Sequence, residues 1–317
     1  NTAGATTIFD SLESAGFEYN PALRDFYENN AAVSAGGSGP ARPENPSIEN
    51  SGVIELETYE TPFSAYSAAL QESFADYNDA ALIVISRIGG EGFDLPRTMP
   101  GDPNRHYLEL DPNEKELIRS VVESPAHFDA VILIINSSST LELGDIESDS
   151  GVDACIQIGG PGYSGVMALG SILNGEVNPS GHTVDTWAAD FTQNPTWNNF
   201  GNNMVASTSG QPSGDQYTEN GNPIPYYFVD YEEGIYVGYR YYETRGYTDG
   251  EDWYQANVVY PFGYGLSYTQ FDWEIVNTAD LSDIVLTEEN KTETITIGIQ
   301  VTNTGEYAGK DVVQLYC

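Results

Sequence analysis

The stretch 81-ALIVISRIGGEGFDLPR-97 decides the fold. Its first half is a continuous apolar run rich in β-branched residues, with none of the alternation of a half-exposed strand. Such a run predicts a strand covered on both faces, as in a parallel sheet. The run breaks into Gly89, Gly90 and Gly92, and one carboxylate, Glu91, stands between the last two. Glycines allow a sharp turn and a close approach by another molecule. An acid presented on a bare loop at the end of a central strand is therefore the first candidate site.

Working outward, strands are predicted over 53–57, 81–88, 130–136, 154–158 and 183–187, with helices over 6–15, 64–77, 112–123 and 165–173. The third helix is the best signed: Asp111 fits the N-cap, Pro112 the first helical position, and Glu114 completes a capping box ahead of Leu117, Ile118 and Val121. Alternation of β and α predicts an α/β fold, a doubly wound αβα sandwich with a mostly parallel sheet and right-handed crossovers. In such sheets the working loops follow the carboxyl ends of the strands. The loops at Glu91, at 136–139 and at 159–162 all qualify.

From 189 to 225 the chain turns rich in Asn, Gly, Ser and Pro and reads as an irregular excursion. Residues 226–262, with "YYFVDYEEGIYVGYRYYETRGY", carry too many tyrosines to be solvated and read as a junction within the same domain, which spans 1–262. From 263 to 317 the pattern alternates. A hairpin is predicted from strand 294–302, turn 303–305 and strand 311–316. About seven strands make a β-sandwich of the immunoglobulin type, and too few residues remain here for all of them. This second domain is therefore expected to be incomplete within the chain.

The 317 residues carry 48 acidic against 11 basic side chains, a net charge of −37. That disfavours nucleic acid and anionic lipid, whose partners need clustered Lys and Arg, and favours a neutral or cationic ligand. No apolar run reaches the length of a membrane span. Cys155 and Cys317 make no disulfide framework, and Cys155, in an apolar run, reads as a small core residue. His106, His127 and His182 are scattered, so no metal site is expected. Gly160–Gly165 matches G-x-G-x-x-G, with Asp185 about twenty residues on, the dinucleotide spacing. Pro161 removes a backbone donor inside that loop, Asp185 falls within its predicted strand, and the loop follows a late strand. A tight strand-to-helix turn is the better reading, with no cofactor. Serine hydrolysis through Ser180 and His182 loses to a turn before a strand on similar grounds.

Five motifs in order, "ALIVISRIGGEGFD", "LDPNEKELIRSV", "GGPGYSGVMALGSILNGEVNPSGHTVDTW", "YEEGIYVGYRYYET" and "YPFGYGLSYTQF", resemble the C-terminal α/β sandwich of glycoside hydrolase family 3 β-glucosidases. The final stretch, with "VTNTGEYAGKDVVQLY", is similar to the start of the fibronectin type III domain that follows it. The resemblance implies a retaining, exo-acting β-glucosidase using two carboxyl groups about 5–5.5 Å apart. One is an aspartate nucleophile on a TIM-barrel domain that this chain lacks. The other, the general acid/base, maps onto Glu91. Phe93 matches an aromatic position beside the leaving-group sugar, where relatives often carry Tyr. Phe93, Arg87 and Asp94 are the residues expected to contact substrate, with structural ion pairs the alternative for Arg87 and Asp94. The implied partners are a β-glucoside or cello-oligosaccharide and the barrel of the same enzyme; a homodimer is compatible with this reading. Secretion is the expected location, with the cytoplasm as the alternative. A β-xylosidase or other β-glycosidase, or a non-catalytic carbohydrate-binding module, are the competing functions.

Overall fold

The computed structural model describes residues 4–29, 58, 60–87, 95, 98–99, 102–144, 146, 151–197, 217–219, 222–224, 231–278, 284–285, 287–289, 291–292 and 294–316. The predicted strand at 53–57 lies outside the described residues. So do Glu91, Phe93 and Asp94.

Three strands form a parallel sheet in the order β1 (Ala81–Ser86), β2 (Val131–Asn136) and β3 (Ala154–Gln157). Ala81 aligns with Val131, and Ile132 with Ala154. β2 is central, and its consecutive residues Leu133, Ile134 and Ile135 are each fully buried. Consecutive burial means both faces of the strand are covered, which is why its sequence shows no period of two. β1 buries Ile83 and Ile85. β3 is mostly exposed, and Cys155 within it is exposed rather than in the core. Among the described residues β3 pairs only with β2, and the apolar composition of 154–158 did not reveal its exposure.

Helices flank the sheet. α1 (Ile8–Ser14) starts at a capping box between Thr7 and Asp10, α2 (Pro21–Asn29) follows, and α3 (Ala68–Glu72) lies between 3-10 turns at Phe63–Ala65 and Ser73–Asp76. α4 (Pro112–Val122) has the Asp111 cap, Pro112 and the Glu114 capping box that its sequence predicts. Leu117, Ile118 and Val121 of α4 join Phe26, Tyr66, Leu70, Phe74, Ile83, Ile85, Leu133 and Ile135 in one core. α5 (Met167–Leu173) begins after a turn in which Gly159 and Gly162 take positive φ and the Gly165 amide donates to the Pro161 carbonyl. The G-x-G-x-x-G pattern is thus met by turn geometry, and Asp185 sits outside any strand. α5 meets α1 closely: a Cβ on Gly170 would lie 2.3 Å from the Ser11 carbonyl oxygen, and the Gly170 amide donates to Ser11 Oγ at 2.8 Å.

Further sequence expectations are corrected. The predicted strand 183–187 does not join the parallel sheet. Only β4 (Trp187–Ala188) forms, and it pairs antiparallel with β7 (Val258–Tyr260). Thr183 is instead tied to the loop after β7, its hydroxyl donating to the Pro261 carbonyl and its own carbonyl accepting from the Gly263 amide. The tyrosine-rich junction also contains two helices that were not predicted, α6 (Tyr239–Asp249) and α7 (Glu251–Asn257), separated by Gly250 at φ +98°. Their crowded tyrosines hide the period: only Tyr242 in α6 is fully buried. A short antiparallel pair, β5 (Tyr217–Glu219) and β6 (Asn222–Ile224), interrupts the excursion.

The chain divides into two compact units, 1–170 with 183–263, and 171–182 with 264–317. In the second, β8 (Phe271–Ile275) pairs antiparallel with β9 (Ile299–Asn303), Trp273 opposite Val301. The predicted hairpin between 294–302 and 311–316 is therefore not formed. After β9 the chain is held by side chains rather than a ladder. Asn178 Nδ2 donates to the Ala308 carbonyl, the Lys310 amide donates to Ser180 Oγ, and Trp273 Nε1 donates to Asp311. His182 faces that same Asp311 at 3.5 Å. Ser180 and His182 each have a structural partner in this arrangement.

Candidate functional site

β1 delivers the chain to the glycine loop, and the residue at the hand-over is Arg87. Its backbone amide still donates to Asn136, extending the sheet by one bond. Its side chain turns into the protein and is only 1% exposed. Nε donates to the Tyr107 carbonyl at 3.0 Å, Nη1 to the Ser86 carbonyl at 2.9 Å and Nη2 to the Glu109 carbonyl at 2.6 Å. The remaining two N–H groups form a fork onto Glu114, Nη1 to Oε1 at 2.5 Å and Nη2 to Oε2 at 2.7 Å. A guanidinium has five N–H donors, and all five are committed. No donor remains for a sugar hydroxyl, so the expected substrate contact by Arg87 gives way to the ion-pair alternative.

Glu114 does three things at once. It closes the capping box by accepting from the Asp111 amide at 2.8 Å, receives Arg87, and fills a buried position on α4. Burial pushes its carboxyl above the ordinary carboxylate range, while Arg87 pulls the other way. Just outside lies Glu60, which accepts from the Thr61 amide. Burial, then the neighbouring Glu114 and Asp111 carboxylates, push Glu60 up to about 7; the Thr61 amide and Arg87 oppose this.

A pH dependence follows from Glu60. Its folded pKa lies above the unfolded value of 4.5, so the native state holds the proton longer than the unfolded chain. The stabilisation is complete below pH 4.5 and is lost as pH rises to 7, a change of about 3 kcal/mol. Urea midpoints measured from pH 4.5 to 8 should fall more steeply for the parent than for Glu60→Gln. Parallel curves would show that Glu60 ionises normally.

The segment after the loop carries a second cluster. Met99 and Tyr107 are buried together against Leu95 and Leu108. Next to them His106 Nε2 lies 2.6 Å from Glu142 Oε1, and its ring meets Phe191 and Trp197 edge-on at 5.6 and 5.5 Å. His106, Glu109 and Glu142 present one nitrogen and two oxygens within 4.8 Å of one another. That donor set suits a divalent ion in kind. Each carboxylate is already in use, however: Glu142 Oε1 accepts from the Phe191 amide at 2.5 Å as well as facing His106, and Glu109 Oε1 accepts from the His106 amide at 3.0 Å. The arrangement is a hydrogen-bonded knot tying 106–109 to the loop after β2 and to 191–197. Sequence reading left His106 as scattered, because its partners are 36 and 85 residues away.

Glu91 itself, with Phe93 and Asp94, lies outside the described residues, so its sequence position is what locates it: four residues beyond Arg87, at the carboxyl end of β1. Glu114, Glu60 and Glu142 were missed as partners in this region. The capping box gave away Glu114's helix position but not its pairing with Arg87.

The chain is similar to known proteins. The family description "Glycosyl hydrolase family 3 C-terminal domain" matches residues 18–239. Beta-glucosidase A of Butyrivibrio fibrisolvens is 33% identical over 267 residues, covering 76% of this chain and 28% of that protein. Thermostable beta-glucosidase B of Acetivibrio thermocellus is 30% identical over 271 residues, covering 85% of this chain and again 28% of that protein. Among solved structures, beta-glucosidase 3B of Thermotoga neapolitana in complex with glucose superposes with a TM-score of 0.64 at 26% identity, over 96% of this chain and 35% of that one. The chain thus spans about a third or less of the length of the proteins it matches.

Proposed function

The chain belongs to the glycosyl hydrolase family 3 C-terminal domain, and on that premise we propose that it supplies the general acid/base half of a retaining β-glucosidase active site. One observation carries the reading: the G-E-G sequence, residues 90–92, follows β1 of the parallel sheet in the chain and lies inside the matched residues, and α/β folds place their working groups beyond the carboxyl ends of such strands. The relatives are named as β-glucosidases, which supports a β-glucoside or cello-oligosaccharide as substrate.

Glu91 is the acid/base. The nucleophile is an aspartate on a barrel domain of the same enzyme. As that aspartate attacks the anomeric carbon, the protonated Glu91 gives its proton to the glycosidic oxygen and the aglycone departs. The Glu91 carboxylate then takes a proton from water, whose oxygen displaces the aspartate and releases glucose with its configuration retained. Phe93 packs beside the leaving group. Asp94 remains a substrate-contact candidate on its sequence position alone. Residues 263–317 are the start of a fibronectin type III-like domain, a reading supported by the antiparallel pairing of β8 with β9. Secretion suits an enzyme acting on oligosaccharides too large to enter a cell unaided.

The half-site reading is tested by dividing the chemistry. The 317-residue segment alone should give no turnover of 4-nitrophenyl β-glucoside, whereas the polypeptide that also carries the barrel should release β-glucose as the first product seen by NMR. Turnover by the segment alone overturns the proposal.

A further inference from the structure

Arg87 and Glu114, we infer, are a positioning pair for the acid/base loop, an inference that rests on the assignment of Glu91 as the acid/base. The carbonyls that Arg87 binds belong to two separated pieces of chain. Ser86 precedes the glycine loop; Tyr107 and Glu109 follow its return. One guanidinium therefore joins both ends of the stretch 88–106, and Glu91 lies four residues from that joint. The far side of the joint is rigid, because Glu114 is fixed by its own capping box at the start of α4 and α4 is anchored in the core.

The chemistry of the pair argues for geometry over stability. A buried ion pair gains little net free energy over an apolar pair of the same volume, since desolvating two charges offsets their attraction. What a forked guanidinium–carboxylate pair provides is fixed direction: two parallel bonds to the carboxylate and, here, three more to backbone. A general acid needs that. It works only within hydrogen-bond reach of the glycosidic oxygen, and a displacement of about 1 Å can cost on the order of 10²-fold in rate. Arg87 and Glu114 touch no substrate in this scheme and act through Glu91.

Arg87→Lys tests the inference in the complete polypeptide, because Lys keeps the charge but cannot supply the fork. Turnover is compared for methyl β-glucoside, a poor leaving group that needs the acid, and 2,4-dinitrophenyl β-glucoside, which does not. The ratio of the two kcat/KM values, which report the glycosylation step, should fall about tenfold or more for Arg87→Lys. Combined with Glu91→Ala, the same change should add no further loss on methyl β-glucoside. An equal loss on both substrates, or a full additional loss in the Glu91→Ala background, shows that Arg87 serves only the fold and overturns the inference. If Glu91→Ala alone shows neither leaving-group dependence nor azide rescue, the acid/base assignment itself fails and takes this inference with it. Should Arg87→Lys not fold, as judged by near-UV circular dichroism, Glu114→Gln provides the same comparison, since it keeps the shape and neutralises the fork.

Discussion

Glu91→Ala in the complete enzyme should lower kcat for alkyl β-glucosides by about 10²–10⁴-fold, the range a positioned general acid supplies. The loss should depend on the leaving group. An alkoxide is too basic to depart without a proton, so methyl β-glucoside feels the missing acid in full. A dinitrophenolate departs unaided, and for that substrate the first step survives. The second step then becomes limiting, because no base remains to activate water and the glycosyl-enzyme accumulates. Azide needs no base. It should attack the anomeric carbon, displace the aspartate and release β-glucosyl azide, restoring much of the turnover on the dinitrophenyl substrate. A rising rate with added azide, and the azide adduct in the product, is the expected result. Uniform loss on both substrates without rescue would move the acid/base role to another carboxylate.

The second large effect is on stability. Glu114→Ala should destabilise the fold by about 3–5 kcal/mol, because it strands the Arg87 charge where its side chain is 1% exposed. Loss of the capping box at Asp111 adds about 1 kcal/mol. Replacing both partners, Arg87→Met with Glu114→Leu, should recover most of the loss, since two apolar side chains remove the uncompensated charge. Urea unfolding of the single and double variants at pH 7 measures this directly. A Glu114→Ala cost below about 1 kcal/mol would mean that the guanidinium finds water or another anion. Stability and catalysis part company here: the double variant should fold well and still show the leaving-group defect, because an apolar pair restores volume but not direction.

The legible parts of this protein are those governed by neighbours in sequence. The cap, the proline and the capping glutamate of α4 lie within four residues of one another, and the structure reproduces them at 111–114. The uniform apolar runs at β1 and β2 announce burial on both faces; β2 is fully buried through Leu133–Ile135, whereas β1 buries Ile83 and Ile85 and leaves Leu82 and Val84 half-buried. Local patterns are silent about partners. The 154–158 run looks like any core strand, yet β3 is mostly exposed, Cys155 included. The run at 183–187 was set in the parallel sheet, but its last residue pairs with β7, about seventy residues later. Likewise 294–302 found its partner in Phe271–Ile275 and not in the apolar stretch just after it.

By itself the sequence determined the class of the fold and the family, since both rest on short-range pattern or on motifs in order. Only the tertiary structure decided what Arg87 does. A lone arginine before a glycine loop reads equally well as a ligand for substrate or as a structural cation. The choice depends on whether its five donors are already taken, by Glu114 twenty-seven residues away and by carbonyls at 107 and 109. No periodicity records such a count. It is settled when the chain closes on itself and burial obliges each polar group to find its partner.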